Sequence, residues 1–519
     1  MSQNSYQEIR DRKLASIAKI IPQEWQIPPS ALPSTSTADV SQFPQQCAIL
    51  TPREKEITSY TAASFLIASL KKKRYTAVEV CTAFCKRAAI AHQLTNCITE
   101  PLFESALARA KFLDDHLART GKPFGPLHGL PISVKDMFNI KGVDSSLGIA
   151  SLCFRPATSN AAIVDILMDA GAVVHVKTNV PQTLMALDSV NNVFGRTLNP
   201  YNRQCWTAGG SSGGEGVLVA MSGSVFGVGT DIGGSVRIPA MCNGVVGFKP
   251  SSGRIPTAGM QSSSPEGTSK LGMETAAGVL ARKLEDVGLF MKTVERARAY
   301  EVDAAIIPGQ WWTTPSADLA RNRRKPRIGI LRHDALVNPL PPIHRVISEV
   351  EQKLQSAGIE IITLDHRISQ ILGATAVLVN QFFAAPDNAH IFSLLEQTGE
   401  PLIPWLGPRL RKREAISLEH LRSLFAHKGN VQQAFLDKVW KDEKVDAIIC
   451  PVAPHPVPPL DRWGTANYTA PWVLFDYPAA SLPVRKMEKE DLEEEVEGGP
   501  WDRKRARSRP DEENRKLCE

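Results

Sequence analysis

Between residues 208 and 239 the sequence runs AGGSSGGEGVLVAMSGSVFGVGTDIGGSVRIP. Two glycine-rich serine clusters, Gly209-Gly210-Ser211-Ser212-Gly213-Gly214 and Thr230-Asp231-Ile232-Gly233-Gly234-Ser235, flank an apolar segment long enough for one helix and one short strand. Glycine loses more conformational freedom on folding than any other residue, so this density implies positive-φ turns or backbone that closely approaches something. Serines set in such turns are candidates for chemistry. Three generic motifs fail on their own requirements. The Gly210–Gly214 stretch fits G-x-S-x-G, but a nucleophile elbow needs an apolar strand before it, and residues 202–207 (NRQCWT) are polar and turn-like. A phosphate loop needs Lys and then Ser or Thr after its last glycine, where Glu215 stands. Gly227 and Gly229 open a dinucleotide-type fingerprint, but Gly233 falls one residue late and no βαβ unit of the right length follows. A structural turn is the ordinary explanation for either cluster alone.

Together with the upstream stretch 129–142 (GLPISVKDMFNIKG), however, the two clusters resemble the amidase signature family in order and in serine spacing. From about Gln7 to about Val484 the chain is similar to its fungal acetamidase-type members and, more distantly, to fatty-acid amide hydrolase. The resemblance implies a Ser-Ser-Lys triad, with Ser235 the acylated nucleophile, Ser211 the bridging serine after a cis peptide bond, and Lys135 the base. It also implies an α/β fold of the amidase signature type, a central mostly parallel mixed sheet covered by helices on both faces. Asp231 and Arg237 are expected to brace the nucleophile loop, with Gly209 and Gly210 in support.

The chemistry agrees with that expectation. A serine hydroxyl is a weak nucleophile, and a lysine serves as its base only if burial lowers its proton affinity toward neutrality. Lys135 follows Leu130-Pro131-Ile132-Ser133-Val134, an apolar run that reads as a buried strand. Pairing with Asp136 or snorkelling to the surface is the usual fate of such a lysine. An oxyanion is expected at the backbone N–H groups of Ile232, Gly233, Gly234 and Ser235, with Ser211 beside them.

With 43% hydrophobic and 22% charged residues the 519-residue chain has an ordinary soluble composition. A net charge of +6 with no basic stripe argues against nucleic acid. Nine cysteines without paired spacing fit a reducing compartment, and Cys205 beside the first serine cluster reads as a packed thiol. No apolar run of membrane-spanning length and no signal-peptide core is present, so a cytoplasmic protein without a membrane anchor is expected. Neither metal nor cofactor is called for. The expected ligand is a small-molecule amide, and a homodimer is left open.

Three regions are anticipated: an N-terminal helix and linker (1–50), the amidase domain (51–484) and a charged, disordered tail (485–519). The first helix, residues 5–20, carries an apolar stripe of Ile9, Leu14, Ile17 and Ile20. Helices are predicted near 61–72, 77–93 with Thr76 as N-cap, 102–119 closed by Gly121, 161–170 and 341–356, and strands at 131–135 and 173–177. Strands at 327–331, 360–364 and 445–450 are expected to extend the same sheet. Residues 374–406 line the acyl channel in the family, and Leu184 and Met185 are weaker pocket candidates. Family members continue past a stretch like 500–504 into a further strand and a final helix. Without them an apolar strip is expected to open, and at roughly 25 cal/mol per Å², losing a few hundred Å² of burial would remove several kcal/mol. The alternatives are a glutaminase subunit of an amidotransferase and a catalytically impaired homologue acting as a binding protein.

Overall fold

The computed structural model describes residues 5–60, 62–265, 272–309 and 325–492. Seven strands form the central sheet: β1 (Ile98–Pro101), β2 (Pro131–Lys135), β3 (Val173–Thr178), β6 (Phe226–Asp231), β7 (Val246–Lys249), β8 (Ala276–Ala281) and β12 (Ala479–Ser481). A small ribbon of β4 (Val190–Asn191) and β5 (Gly195–Arg196) stands apart from it. The order across the sheet is β1-β3-β2-β6-β8-β7-β12. The sheet is mixed but not mostly parallel as expected: its two parallel pairings are gathered at β3-β2-β6, where Ser133 faces Gly227 and Val134 faces Val228. The pairings outside that centre are antiparallel.

Every residue of β2, β3 and β6 is buried, so helices must cover both faces of this part of the sheet. The helix Ala77–Thr95 packs with Gly213–Ala220, and Ala162–Asp169 packs with Leu284–Arg296. Their ends follow local chemistry. Thr76 and Glu79 form a reciprocal capping box at the start of Ala77–Thr95, and Gly121, at φ 68°, closes Phe103–Thr120.

The strands of the second half do not extend this sheet. β9 (Arg327–Ile330), β10 (Glu360–Thr363) and β11 (Ala447–Ile449) make a separate parallel sheet in the order β10-β9-β11. Both edges of the central sheet are already taken, by β1 on β3 and by β12 on β7, each antiparallel.

The N-terminal helix Tyr6–Ile20 also departs from its apolar stripe, because Ile17 is buried while Leu14 and Ile20 are exposed. Its buried side carries Lys13, four residues before Ile17, paired with Glu100 and, at 2.7 Å, with Asp144. Two buried acids thus select the face that turns inward. Trp25, Ile27 and Leu50 of the following linker join the main core. At the other end Arg485 bridges Glu349 of the helix Pro341–Ser356 and Asp491, each at 2.7 Å. Residues 493–519, with most of the charged tail and the stretch 500–504, lie outside the described residues. Among the described residues no single helix is long and apolar enough to cross a membrane, although the bent pair His366–Ala384 and Ala389–Glu396 reaches that hydropathy when taken together.

Candidate active site

Lys135 ends β2, and Thr230 lies near the end of the parallel neighbour β6, so the sheet brings both to one edge. The Gly210–Ser211 bond is cis, and Ser211 sits in the turn before the helix Gly213–Ala220. Lys135 Nζ is 2.8 Å from Ser211 Oγ and 2.8 Å from Thr230 Oγ1. The lysine is wholly buried, and that burial lowers its pKa to about 7 against the opposing charges of Asp231, Glu215 and Asp136.

Ser235 lies between the end of β6 and the helix Arg237–Asn243, almost buried at 6% exposure. The Ser212 N–H donates to the Ser235 carbonyl at 3.1 Å, which seats the two serine clusters against each other. Close packing explains the glycines here. A Cβ at Gly210 would stand 2.7 Å from the Ala186 carbonyl oxygen, and Gly234 adopts φ 126°, a conformation that L side chains rarely reach.

Asp231 is the knot of the loop that carries Ser235. It accepts from Arg237 Nε at 2.9 Å and the Arg237 terminal nitrogen at 3.0 Å, and from the N–H groups of Gly234 at 2.7 Å and Val236 at 3.2 Å. Burial alone would push its carboxyl up, but Arg237, Lys249 and these N–H donors hold it below the usual value. One expectation changes here, because the Gly234 N–H is committed to Asp231. The N–H groups of Ile232, Gly233 and Ser235 have no acceptor among the described residues.

Sequence reasoning singled out neither Thr230 nor Thr469. Thr230 lies inside the second cluster, and its position beside Asp231 was a readable signal. Thr469 Oγ1 donates to the Gly233 carbonyl at 2.6 Å from 236 residues away, a partner that no local pattern marks. Phe383, in the anticipated 374–406 stretch, is the nearest side chain to a Cβ built on Gly233, at 3.4 Å. A cavity of about 270 Å³ is bordered by Ser264, Pro265, Pro386, Asp387, His390 and Leu421, and none of Phe383, Lys135, Ser211 and Ser235 lines it. Leu184 packs on the main core and Met185 is exposed; neither borders this cavity. Among the described residues no group of three His, Cys, Asp or Glu side chains is arranged to hold a metal ion.

Residues 79–500 match the sequence family described as Amidase. The chain is 36% identical to an amidase of Gibberella moniliformis over 94% of its own length and 92% of that protein's. It is 37% identical to the acetamidase of Emericella nidulans, over 93% and 88% of the two chains. Among solved structures it is similar to fatty acid amide hydrolase, with a TM-score of 0.84, 28% identity, and coverage of 98% of this chain and 91% of that one.

Proposed function

The chain belongs to the amidase signature family, and on that premise we propose that it hydrolyses a carboxylic amide to an acid and an amine or ammonia through an acyl-enzyme on Ser235. The observation that carries this reading is the contact of a buried lysine, with its pKa lowered to about 7, and Ser211 at 2.8 Å. Neutral Lys135 draws the Ser211 proton while Ser211 takes that of Ser235, whose Oγ bonds to the amide carbon. The N–H groups of Ile232, Gly233 and Ser235 receive the developing oxyanion. The proton then returns through Ser211 to the leaving nitrogen, the C–N bond breaks, and water repeats the route to release the acid. Asp231 and Arg237 fix the loop that presents Ser235.

A fluorophosphonate probe and a set of simple amides test the reading. The acetamide substrate class indicated by the name of the Emericella relative is the first to try. The purified chain is expected to label at Ser235 and to hydrolyse such an amide alone, and Ser235→Ala to do neither. Labelling with turnover only after a partner subunit is added would point to a glutaminase-type subunit. Substantial hydrolysis by Ser235→Ala would end the assignment.

A further inference from the structure

Glu215 is fully buried and is the one charged residue of the helix Gly213–Ala220. Its carboxyl reaches three strands. Ser133 Oγ of β2 donates to Oε2 at 2.5 Å, and Thr178 Oγ1 of β3 donates to Oε1 at 2.8 Å. Over β6 it fills the space where a side chain at Gly227 would stand, since a Cβ there would overlap Oε2. Ser133 is two residues before Lys135 on the same strand, so the two side chains share one face of the sheet. Ser211, at the other end of the lysine contact, enters the helix that carries Glu215.

Three carboxyls act on Lys135 by charge, and two of them have other strong partners. Asp231 is held by Arg237. Asp136 accepts from Thr99, Ser146 and the Leu147 N–H, and also acts on Lys177. Glu215 receives only hydroxyls, and the cation whose charge it feels is Lys135. The titratable groups facing this pair are Cys97 before β1, Asp136 after β2 and Asp231 at the end of β6.

We propose that Glu215 is a positioning residue for the Lys135–Ser211 pair: it clamps the serine helix to the strand that ends in Lys135. Burial raises the Glu215 carboxyl to about 8, with Ser133, Thr178 and Lys135 pulling it back, so near pH 7 it is mostly protonated and holds its two hydroxyl partners as a neutral group. This rests on Lys135 being the base of the proposed reaction.

Glu215→Gln keeps the size of the side chain and a partner for each hydroxyl. Glu215→Leu fills the same space but gives neither hydroxyl a partner, so kcat is expected to fall about tenfold in it, while Glu215→Gln, which matches the protonated carboxyl, recovers most of the loss. KM stays within about twofold. The rate of fluorophosphonate labelling follows kcat in both variants. If Glu215→Leu does not fold, Ser133→Ala removes one of the two clamping hydroxyls and is expected to lower kcat in the same way. A kcat that stays at the wild-type value in the variant that folds overturns the proposal, including when its melting temperature falls, because the role is then packing alone. Wild-type labelling and the inactivity of Ser235→Ala are read separately, so a failure of the reaction assignment is not confused with a failure of this one.

Discussion

Thr230 Oγ1 stands 2.8 Å from Lys135 Nζ, the same separation as Ser211 Oγ, so the amine is held between two hydroxyls. Only the serine has a part in the proposed proton route. Thr230 instead aims the amine, and Thr230→Val removes that aim while keeping the side chain's shape. A hydrogen bond of this kind is worth about 1 kcal/mol net, so kcat is expected to fall roughly fivefold to tenfold with KM little changed. Thr230→Ser should recover most of the loss. Steady-state kinetics on one simple amide decide it, and an unchanged kcat in the valine variant counts against the role.

The buried lysine sets a pH dependence for activity and another for stability. Burial lowers Lys135 from 10.5 to about 7, and the proposed base must be neutral, so kcat/KM should climb through about pH 7 to a plateau above it. Below pH 7 the lysine is protonated in folded and unfolded chains alike, and the cost of burying its charge is fully present. Between about 7 and 10.5 the unfolded chain holds the proton and the folded one does not, so for this group stability rises with pH across that window. Lys135→Ala should lose most of the activity and flatten the rate profile. Denaturant midpoints measured across the window should rise less with pH in Lys135→Met than in the wild type.

Arg237 and Asp231 form a buried pair in which two guanidinium nitrogens meet two carboxylate oxygens. Replacing Arg237 by Met leaves the carboxylate uncompensated, a change that costs about 3–5 kcal/mol when an ion pair is buried. The melting temperature should fall, and labelling of Ser235 with it. Arg237→Lys is expected to rescue little, because a single ammonium does not reproduce the two-point contact. Thermal unfolding and probe labelling of both variants check this, and full labelling by Arg237→Met would show that the pair does not fix the loop.

The parts of this architecture that depend on nearby residues were readable from the sequence. The run ending in Lys135 is β2 as expected, and Thr76 and Gly121 end their helices where capping chemistry puts them. Partner choice was not readable. The periodicity that marks residues 327–331 as a strand is the same whether it joins one sheet or another, and the central sheet's edges were closed by β1 and β12. The N-terminal helix shows the same limit: its apolar stripe favours Leu14 and Ile20, while the acids that draw Lys13 inward stand 87 and 131 positions away, at Glu100 and Asp144. Glu215 entered the sequence argument only as the residue that breaks a phosphate loop. A lone carboxyl in an apolar helix beginning GGEGVLVA was nonetheless a visible sign of a buried partner.

Gly234 carries the sharpest test of the loop proposed to present Ser235. At φ 126° it occupies a region that only glycine visits readily, and an added Cβ would stand 2.5 Å from Thr469 Oγ1 and 2.7 Å from Ile238 Cδ1. Thr469 is itself engaged, donating to the Gly233 carbonyl at 2.6 Å, so it cannot turn aside without releasing the loop. Gly234→Ala therefore forces either the backbone or this contact to move. Backbone strain of this type costs about 1–3 kcal/mol. The larger effect falls on rate, because the N–H groups of Ile232, Gly233 and Ser235 share the loop, and one misplaced oxyanion donor commonly costs about 100-fold or more in kcat. We expect kcat to fall by about that factor in Gly234→Ala, with KM near the wild-type value and a lowered melting temperature. Adding Thr469→Ala removes the crowding hydroxyl but leaves φ as it is, so the double variant should stay as slow as the single one. Recovery of kcat in the double variant would mean that crowding, and not the backbone conformation, is what reserves this position for glycine.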